Sequence, residues 1–486
     1  MMKKPVVLVV RDGWGENPNP DWDKFNAIKA ASTPVDERLR AEYPSTLIAT
    51  SGEDVGLPAG IMGNSEVGHQ NLGAGRIVEQ ELLRIARAVS KDALAANPAI
   101  VDLLAHLRQT GGRLHLMGLT SDGGVHSDIA HLLALIDYFG SLAQKPAGLL
   151  VHAIMDGRDT APFGGIEYIR QVEERLASVG FGRVASVVGR FYAMDRDFRW
   201  ERVQKAYDLL VKGAGATAPT AHDAVQAYYD KPSDDSRQGD EFILPTCVGA
   251  DEAGRKDGRI KDGDAVIFFN YRGDRPREIT KAFILPDDQW AAIQGGGFDR
   301  GARLKDLFFA SFTAYEKGLE TRVLFEKPPK MENILGEYLS DKGLAQFRCA
   351  ESEKHPHVTY FFNDYRKGAY PGEFQLDVPS PRHVETYDLK PEMSAFAVAA
   401  AVENAIASGL FDFILVNFAN GDMVGHTGSM EAAVKAAEAV DQCVGKVVDA
   451  TLAAGGQLVV TADHGNAELM WDAEANSAHT RHTTFA

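Results

Sequence analysis

Seven times along the chain, a short run of Val, Ile, Leu or Phe breaks off into a loop of Gly, Asp, Arg or His. PVVLVV leads into RDGWG, RLHLMGLT into SDGGVH, LLVHAIM into DGRD and RVASVVG into RFYAMDRD. AVIFFN leads into YRGDR, FDFILVN into FANGDMVGH and QLVVTA into DHGN. Continuous apolar runs of this length fit strands buried on both faces, as parallel sheets require. Helical patterns lie between them, at 200–212 (WERVQKAYDLLVK) and at 430–454. The alternation predicts an α/β fold. Open sheets of this kind bind ligands beyond the carboxyl ends of their strands, which is where the charged residues collect.

At 486 residues the chain exceeds one ordinary domain. Its net charge of −17 carries no basic footprint and argues against nucleic acid as a partner. The apolar start stops at Arg11 and Asp12, too short for a signal peptide. No stretch reaches the roughly 20 apolar residues of a membrane span. Three scattered cysteines, Cys247, Cys349 and Cys443, form neither a disulfide framework nor a thiolate metal site. They predict apolar filler in a reducing cytoplasm. Polar stretches at 231–241, 294–303 and 363–373 read as surface loops. Gly73 and Gly75 suggest one hinge and 313–320 another.

GNSEVGH (63–69) sets a lone hydroxyl, Ser65, among Gly60, Gly63, Gly68, Gly73 and Gly75. One reading is a Ser or Asn cap on a helix beginning near Glu66. The other is a nucleophile at a helix N-terminus, where backbone amides favour an anion. Taken alone, the stretch favours the cap.

NGDMVGH and TADHGN put Asp422, His426, Asp463 and His464 at strand ends, and Asp12 follows the first strand. AHTRHTT adds His479 and His482. Any one of these residues is more simply a cap or a satisfied core side chain. Together they form the carboxylate and imidazole set that binds zinc, manganese or iron, with enough ligands for two ions. A metal would also activate a serine hydroxyl.

A second set of loops carries Arg158 and Asp159, Arg190 and Arg196, Arg272 and Arg275, with His126 ending SDGGVH. Five arginines on neighbouring strand ends suggest a small anion with more than one charge. Surface ion pairs with the adjacent aspartates are the plainer alternative. These residues lie between 120 and 280, while the metal candidates lie before 75 and after 420. The split predicts a discontinuous domain with a second inserted into it, and an active site in a cleft.

Taken with GNSEVGHQNLGAGR, ESEKHPHVTYFFN, TYDLKPEMSA and NFANGDMVGHTG, these motifs resemble the cofactor-independent phosphoglycerate mutases of the alkaline phosphatase superfamily. The resemblance runs in order from residue 5 to 486. It implies a two-domain α/β fold: an alkaline phosphatase-like parallel sheet sandwiched by helices, with a second α/β domain inserted. The metal-binding phosphatase-like part would span 1–78 and 318–486, and the substrate-binding transferase-like part 79–317. Ser65 matches the family's nucleophile. One metal would be held by Asp422, His426 and His482, the other by Asp12, Ser65, Asp463 and His464, with Mn2+ the usual bacterial ion. Substrate contacts would come from His126, Arg158, Asp159, Arg190, Arg196, Arg272, Arg275 and Lys354. The implied reaction interconverts 3- and 2-phosphoglycerate through phosphoserine, without bisphosphoglycerate, in a cytoplasmic monomer acting on a small molecule.

Three departures stand out. Arg11 occupies an ordinarily apolar position, its partner unassigned. HTRHTT holds two histidines, of which His482 matches the pattern and His479 is the alternative. The chain stops four residues after His482, so the sequence reads as truncated, with lowered stability and weakened metal binding expected. A metal-dependent phosphomonoester hydrolase and an inactive remnant are the rival readings.

Overall fold

The computed structural model describes residues 3–473 and 476–486. It divides into two compact units, one built from residues 1–83 and 329–486 and the other from 84–328. The crossings thus follow Leu83 and Pro328, later in the chain than the sequence reading places them. The glycines expected as a hinge serve the helix Ser65–Ala74 instead. A Cβ on Gly73 would meet the Phe362 carbonyl oxygen at 2.0 Å, and Gly75 ends the helix with a φ of 64°. The 313–320 segment lies inside the second unit.

The first unit holds five parallel strands, in the order Glu373–Val378, Gln346–Glu351, Phe413–Phe418, Val6–Arg11 and Gln457–Thr461. Helices cover both faces, which is why the central strands read as unbroken apolar runs. Val7 and Val9 pack with residues of Ala395–Ser408 and Met430–Ala453. Leu8 and Val10 lie in the opposite layer with Leu72, Leu339 and Phe362. Each fully buried side chain of this size contributes roughly 1.5–3 kcal/mol. Val10 is level with Asn417 on one side and Thr461 on the other. The three strands therefore stop together, and the residues that follow them emerge at one end of the sheet.

The second unit is an eight-stranded sheet. Its order is Ala216–Ala218, Thr246–Val248, Arg183–Gly189, Leu149–Met155, Leu114–Leu119, Ala265–Phe268, Phe308–Ser311 and Arg322–Val323. The first two strands run opposite to the rest. The helix Trp200–Lys212 buries Trp200, Val203, Tyr207 and Leu210 in the core. All seven apolar runs form strands. The pattern missed Gln346–Glu351, whose inward Gln346 and Arg348 interrupt it.

The stretches expected as surface loops bury polar anchors: Asp240, Arg300, Asn363, Asp364 and Glu373. Asp240 accepts the Gly165 amide at 2.7 Å, and Arg300 donates to the Ala282 and Leu285 carbonyl oxygens. Asp240 and Arg300 are polar because they satisfy interior backbone groups. All three cysteines are buried and unpaired. Among the described residues, no helix is long and apolar enough to cross a membrane.

Candidate active site

Asn64 caps the helix Ser65–Ala74, its side chain accepting the Val67 amide at 3.0 Å. Ser65 is therefore the first helical residue, and its hydroxyl is free for other contacts. Its Oγ lies 3.2 Å from Asp12 Oδ1, 2.9 Å from His464 Nε2 and 2.6 Å from Lys354 Nζ. One turn on, a Cβ at Gly68 would sit 2.5 Å from the Asp463 carbonyl oxygen. Only glycine lets the serine helix approach that loop so closely.

Asp12, Asp422 and Asp463 are buried around this point. Lys354, also buried, places its ammonium 2.7 Å from Asp12 Oδ1 and 2.6 Å from Asp422 Oδ2. Burial would raise the pKa of both carboxyls, but the ammonium and the neighbouring imidazoles together outweigh it and hold them well below the usual range. Reciprocally, burial would lower the lysine, and Asp12, Asp422 and Asp463 raise it. Lys354, matched by resemblance to a substrate contact, thus sits inside the carboxylate cluster.

The imidazoles join the same cluster. His426 Nε2 and His482 Nε2 each lie 3.0 Å from Asp422 Oδ1 and 3.2 Å from one another. Their Nδ1 atoms face the carbonyl oxygens of Thr480 and Gly63 at 2.7 and 2.9 Å. Those bonds turn the Nε2 atoms toward the carboxylate. His464 Nε2 lies 3.3 Å from Asp12 Oδ1 and 3.8 Å from Asp463 Oδ2. Burial opposes its charge, yet Asp463, Asp12 and Asp422 push its pKa up to about 10.

Among the described residues, two groups have ligand atoms within 4.8 Å of one another: Asp422, His464 and His482, and Asp12, His69 and Asp463. His69 and Asn417 escaped the sequence reading. Asn417 donates to Asp12 Oδ2 at 2.7 Å and meets His69 Nε2 at 3.1 Å. His69 stands four residues after Ser65, one helical turn away, so its signal lay within the quoted motif. His479 makes none of these contacts; its backbone amide bonds the Met470 carbonyl. Arg11 pairs with Asp36 at 2.5 Å and lies 4.3 Å over the Trp14 ring, which explains a cation after an apolar strand.

In the second unit, the arginine loops follow strand ends. Arg190 is buried, with Nη1 2.6 Å from Asp156 Oδ1 and 2.6 Å from Asp159 Oδ2. Asp156, absent from the sequence-derived set, also accepts the Ser121 hydroxyl at 2.6 Å. His126 lies 3.8 Å from Asp159 and 3.5 Å from Asp274. Burial, then Arg190, lowers its pKa to about 4 against the pull of both aspartates. Asp274 also receives Arg196 at 2.9 Å and Arg272 at 3.2 Å. Arg275 and Arg158 stand outside this network. Arg275 donates to the Met194 carbonyl at 3.0 Å, and exposed Arg158 faces Glu241 at 3.3 Å. Burial lowers the pKa of Arg275, and Arg190, Arg196 and Arg158 lower it further. Such mutual repulsion is relieved by an anion.

The BPG-independent PGAM N-terminus family matches residues 85–317. The 2,3-bisphosphoglycerate-independent phosphoglycerate mutase of Rhodopirellula baltica is 58% identical over 99% of this chain and 89% of its own length. That of Clostridium beijerinckii is 48% identical over 100% of this chain and 90% of its own. A crystal structure of Leishmania mexicana phosphoglycerate mutase at low cobalt concentration aligns with a TM-score of 0.66 at 34% identity. That alignment covers 99% of this chain and 88% of the other. Near-complete alignment at such identity makes this chain a member of the 2,3-bisphosphoglycerate-independent phosphoglycerate mutase family.

Proposed function

We propose that this chain interconverts 3- and 2-phosphoglycerate through a phosphoserine at Ser65. The observation that carries the reading is the setting of Ser65 Oγ, in contact with Asp12, His464 and Lys354 at once. Asp422, His426 and His482 would hold one divalent ion. Asp12, Asp463 and His464, with Ser65, would hold the other; Mn2+ suits these oxygen and nitrogen donors. Two observations support the fit. Asp463 Oδ2 is buried without a hydrogen-bond donor. His69 Nδ1 lies 3.2 Å away, but its proton goes to the Ser65 carbonyl oxygen at 2.8 Å. The carboxylates that raise the His464 pKa, Asp463, Asp12 and Asp422, would equally attract a cation, which would take the place of the imidazole proton. Bound there, the ions would neutralise phosphoryl oxygens and lower the hydroxyl pKa.

Ser65 Oγ attacks phosphorus, the bond to the substrate 3-oxygen breaks, and that oxygen takes a proton. Asp12 Oδ1 faces the serine proton at 3.2 Å. The Lys354 ammonium stabilises charge growing on the phosphoryl group. In the second half, the 2-oxygen of glycerate attacks phosphorus and gives up its proton, and the bond from phosphorus to Ser65 Oγ breaks, returning the free serine oxygen. Asp159 and His126 serve as the proton carriers; His126, held neutral by its low pKa, has a free acceptor nitrogen. Arg158, Arg190, Arg196, Arg272 and Arg275 hold the glycerate carboxylate, so the intermediate turns over without leaving. Exclusion of water then separates transfer from hydrolysis. The reading extends to a cytoplasmic monomer.

The test is turnover of 3-phosphoglycerate with Mn2+ and no bisphosphoglycerate, by wild type and Ser65→Ala. Wild type should form 2-phosphoglycerate without releasing phosphate, and Ser65→Ala should not. Stoichiometric phosphate release would make the protein a hydrolase instead.

A further inference from the structure

Glu468 is fully buried five residues beyond Asp463, outside every ligand set named above. Its Oε2 accepts the Gly15 amide at 3.1 Å and the Asn466 amide at 2.8 Å. Its Oε1 accepts the Thr483 hydroxyl. Each donor adjoins a different part of the cluster: Gly15 follows Asp12, Asn466 follows His464, and Thr483 is next to His482. Asn466 carries the connection further, its Nδ2 donating to Asp422 Oδ1 at 3.0 Å. The pocket is shaped for a carboxyl group. A Cβ on Gly15 would fall 2.5 Å from Glu468 Cδ, and one on Gly465 would fall 2.3 Å from Oε1.

We propose that Glu468 is a positioning residue that ties the Asp12, Asp463–His464 and His482 segments together, setting the affinity of the cluster for divalent cations. The inference rests on the metal reading above. Both carboxylate oxygens are already engaged, so Glu468 is not itself a ligand. Its effect is to fix loops that meet only in space, Gly15 and Glu468 being 453 positions apart. Groups that orient metal ligands typically change affinity by about 10–100-fold when removed.

Mn2+ binding to the full chain, measured by the paramagnetic resonance of free Mn2+, tests this. The variants are Glu468→Ala, Glu468→Gln and Thr483→Val, each with its metal-free unfolding midpoint. The glutamine amide oxygen accepts both backbone amides while its nitrogen donates to the Thr483 hydroxyl. Glu468→Gln should therefore bind like wild type, while Glu468→Ala and Thr483→Val should weaken binding by about 10–100-fold. If Glu468→Ala does not fold, Thr483→Val decides. Wild-type affinity in Thr483→Val and in any folded Glu468→Ala would overturn the inference while leaving the metal reading intact. Absence of Mn2+ binding by wild type would overturn both.

Discussion

Among the described residues, Lys354 is the ammonium that bridges the buried carboxylates Asp12 and Asp422, and replacing it by methionine leaves both without that charged partner. Removing one partner of a buried pair costs about 3–5 kcal/mol. For a unit of roughly 150–250 residues, each kcal/mol moves the unfolding midpoint by about 2–4 °C. Lys354→Met should therefore lower the midpoint of the first unit by about 6–20 °C in EDTA. Saturating Mn2+ neutralises the same oxygens, so most of the deficit should vanish on adding it. Turnover should stay low, by about 10²–10³-fold, because the ammonium also faces the transferring group. The assay is thermal unfolding with EDTA and with Mn2+, alongside kcat at saturating substrate. A deficit below about 1 kcal/mol in EDTA, or one untouched by Mn2+, would refute the idea that Lys354 balances the metal-binding carboxylates.

Three further outcomes follow from the structure. Burial holds His115, His126, His131 and His152 below their ordinary pKa, His126 and His131 down to about 4. Unfolding would let them take up protons near 6.5. The second unit should thus keep its stability above about pH 6.5 and lose about 1.4 kcal/mol per pH unit for each such group toward pH 4; equal hydrogen-exchange protection of Leu149–Met155 at pH 7 and pH 5 would contradict this. Arg158→Ala should raise KM about 10–100-fold, as loss of a charged hydrogen bond does. It should leave the midpoint unchanged, since its exposed pair with Glu241 is worth little; unaltered KM would remove Arg158 from the substrate set. Gly68→Ala should push the Asp463 loop away, cost about 1–3 kcal/mol and weaken Mn2+ binding, and calorimetric titration showing wild-type affinity would count against that packing.

The sheets were legible because parallel strands buried on both faces must be apolar throughout. Val6–Arg11 and Phe413–Phe418 announce themselves that way. Gln346–Glu351 does not, because its buried Arg348 stacks 4.4 Å from the Phe362 ring, a contact no local pattern encodes. Asp12, Asp422 and Asp463 were legible as residues just past strand ends. His69 was legible only through its place one helical turn after Ser65, and Asn417 and Glu468 were not. Each has a partner that no local pattern marks, Asp12 for Asn417 and Gly15 for Glu468 being hundreds of residues away, and each resembles ordinary helix, strand or loop composition. Asn64 and Ser65 show the same limit: sequence offered capping and chemistry as alternatives, whereas Asn64 makes the cap and leaves the Ser65 hydroxyl to meet Asp12, His464 and Lys354.

The most direct test of the account is the site of phosphoryl attachment. Protein quenched during turnover of 3-phosphoglycerate with Mn2+, then digested and sequenced by mass spectrometry, should carry one phosphoryl group on Ser65. A phosphoryl group on another residue, or full activity in Ser65→Ala, would contradict it.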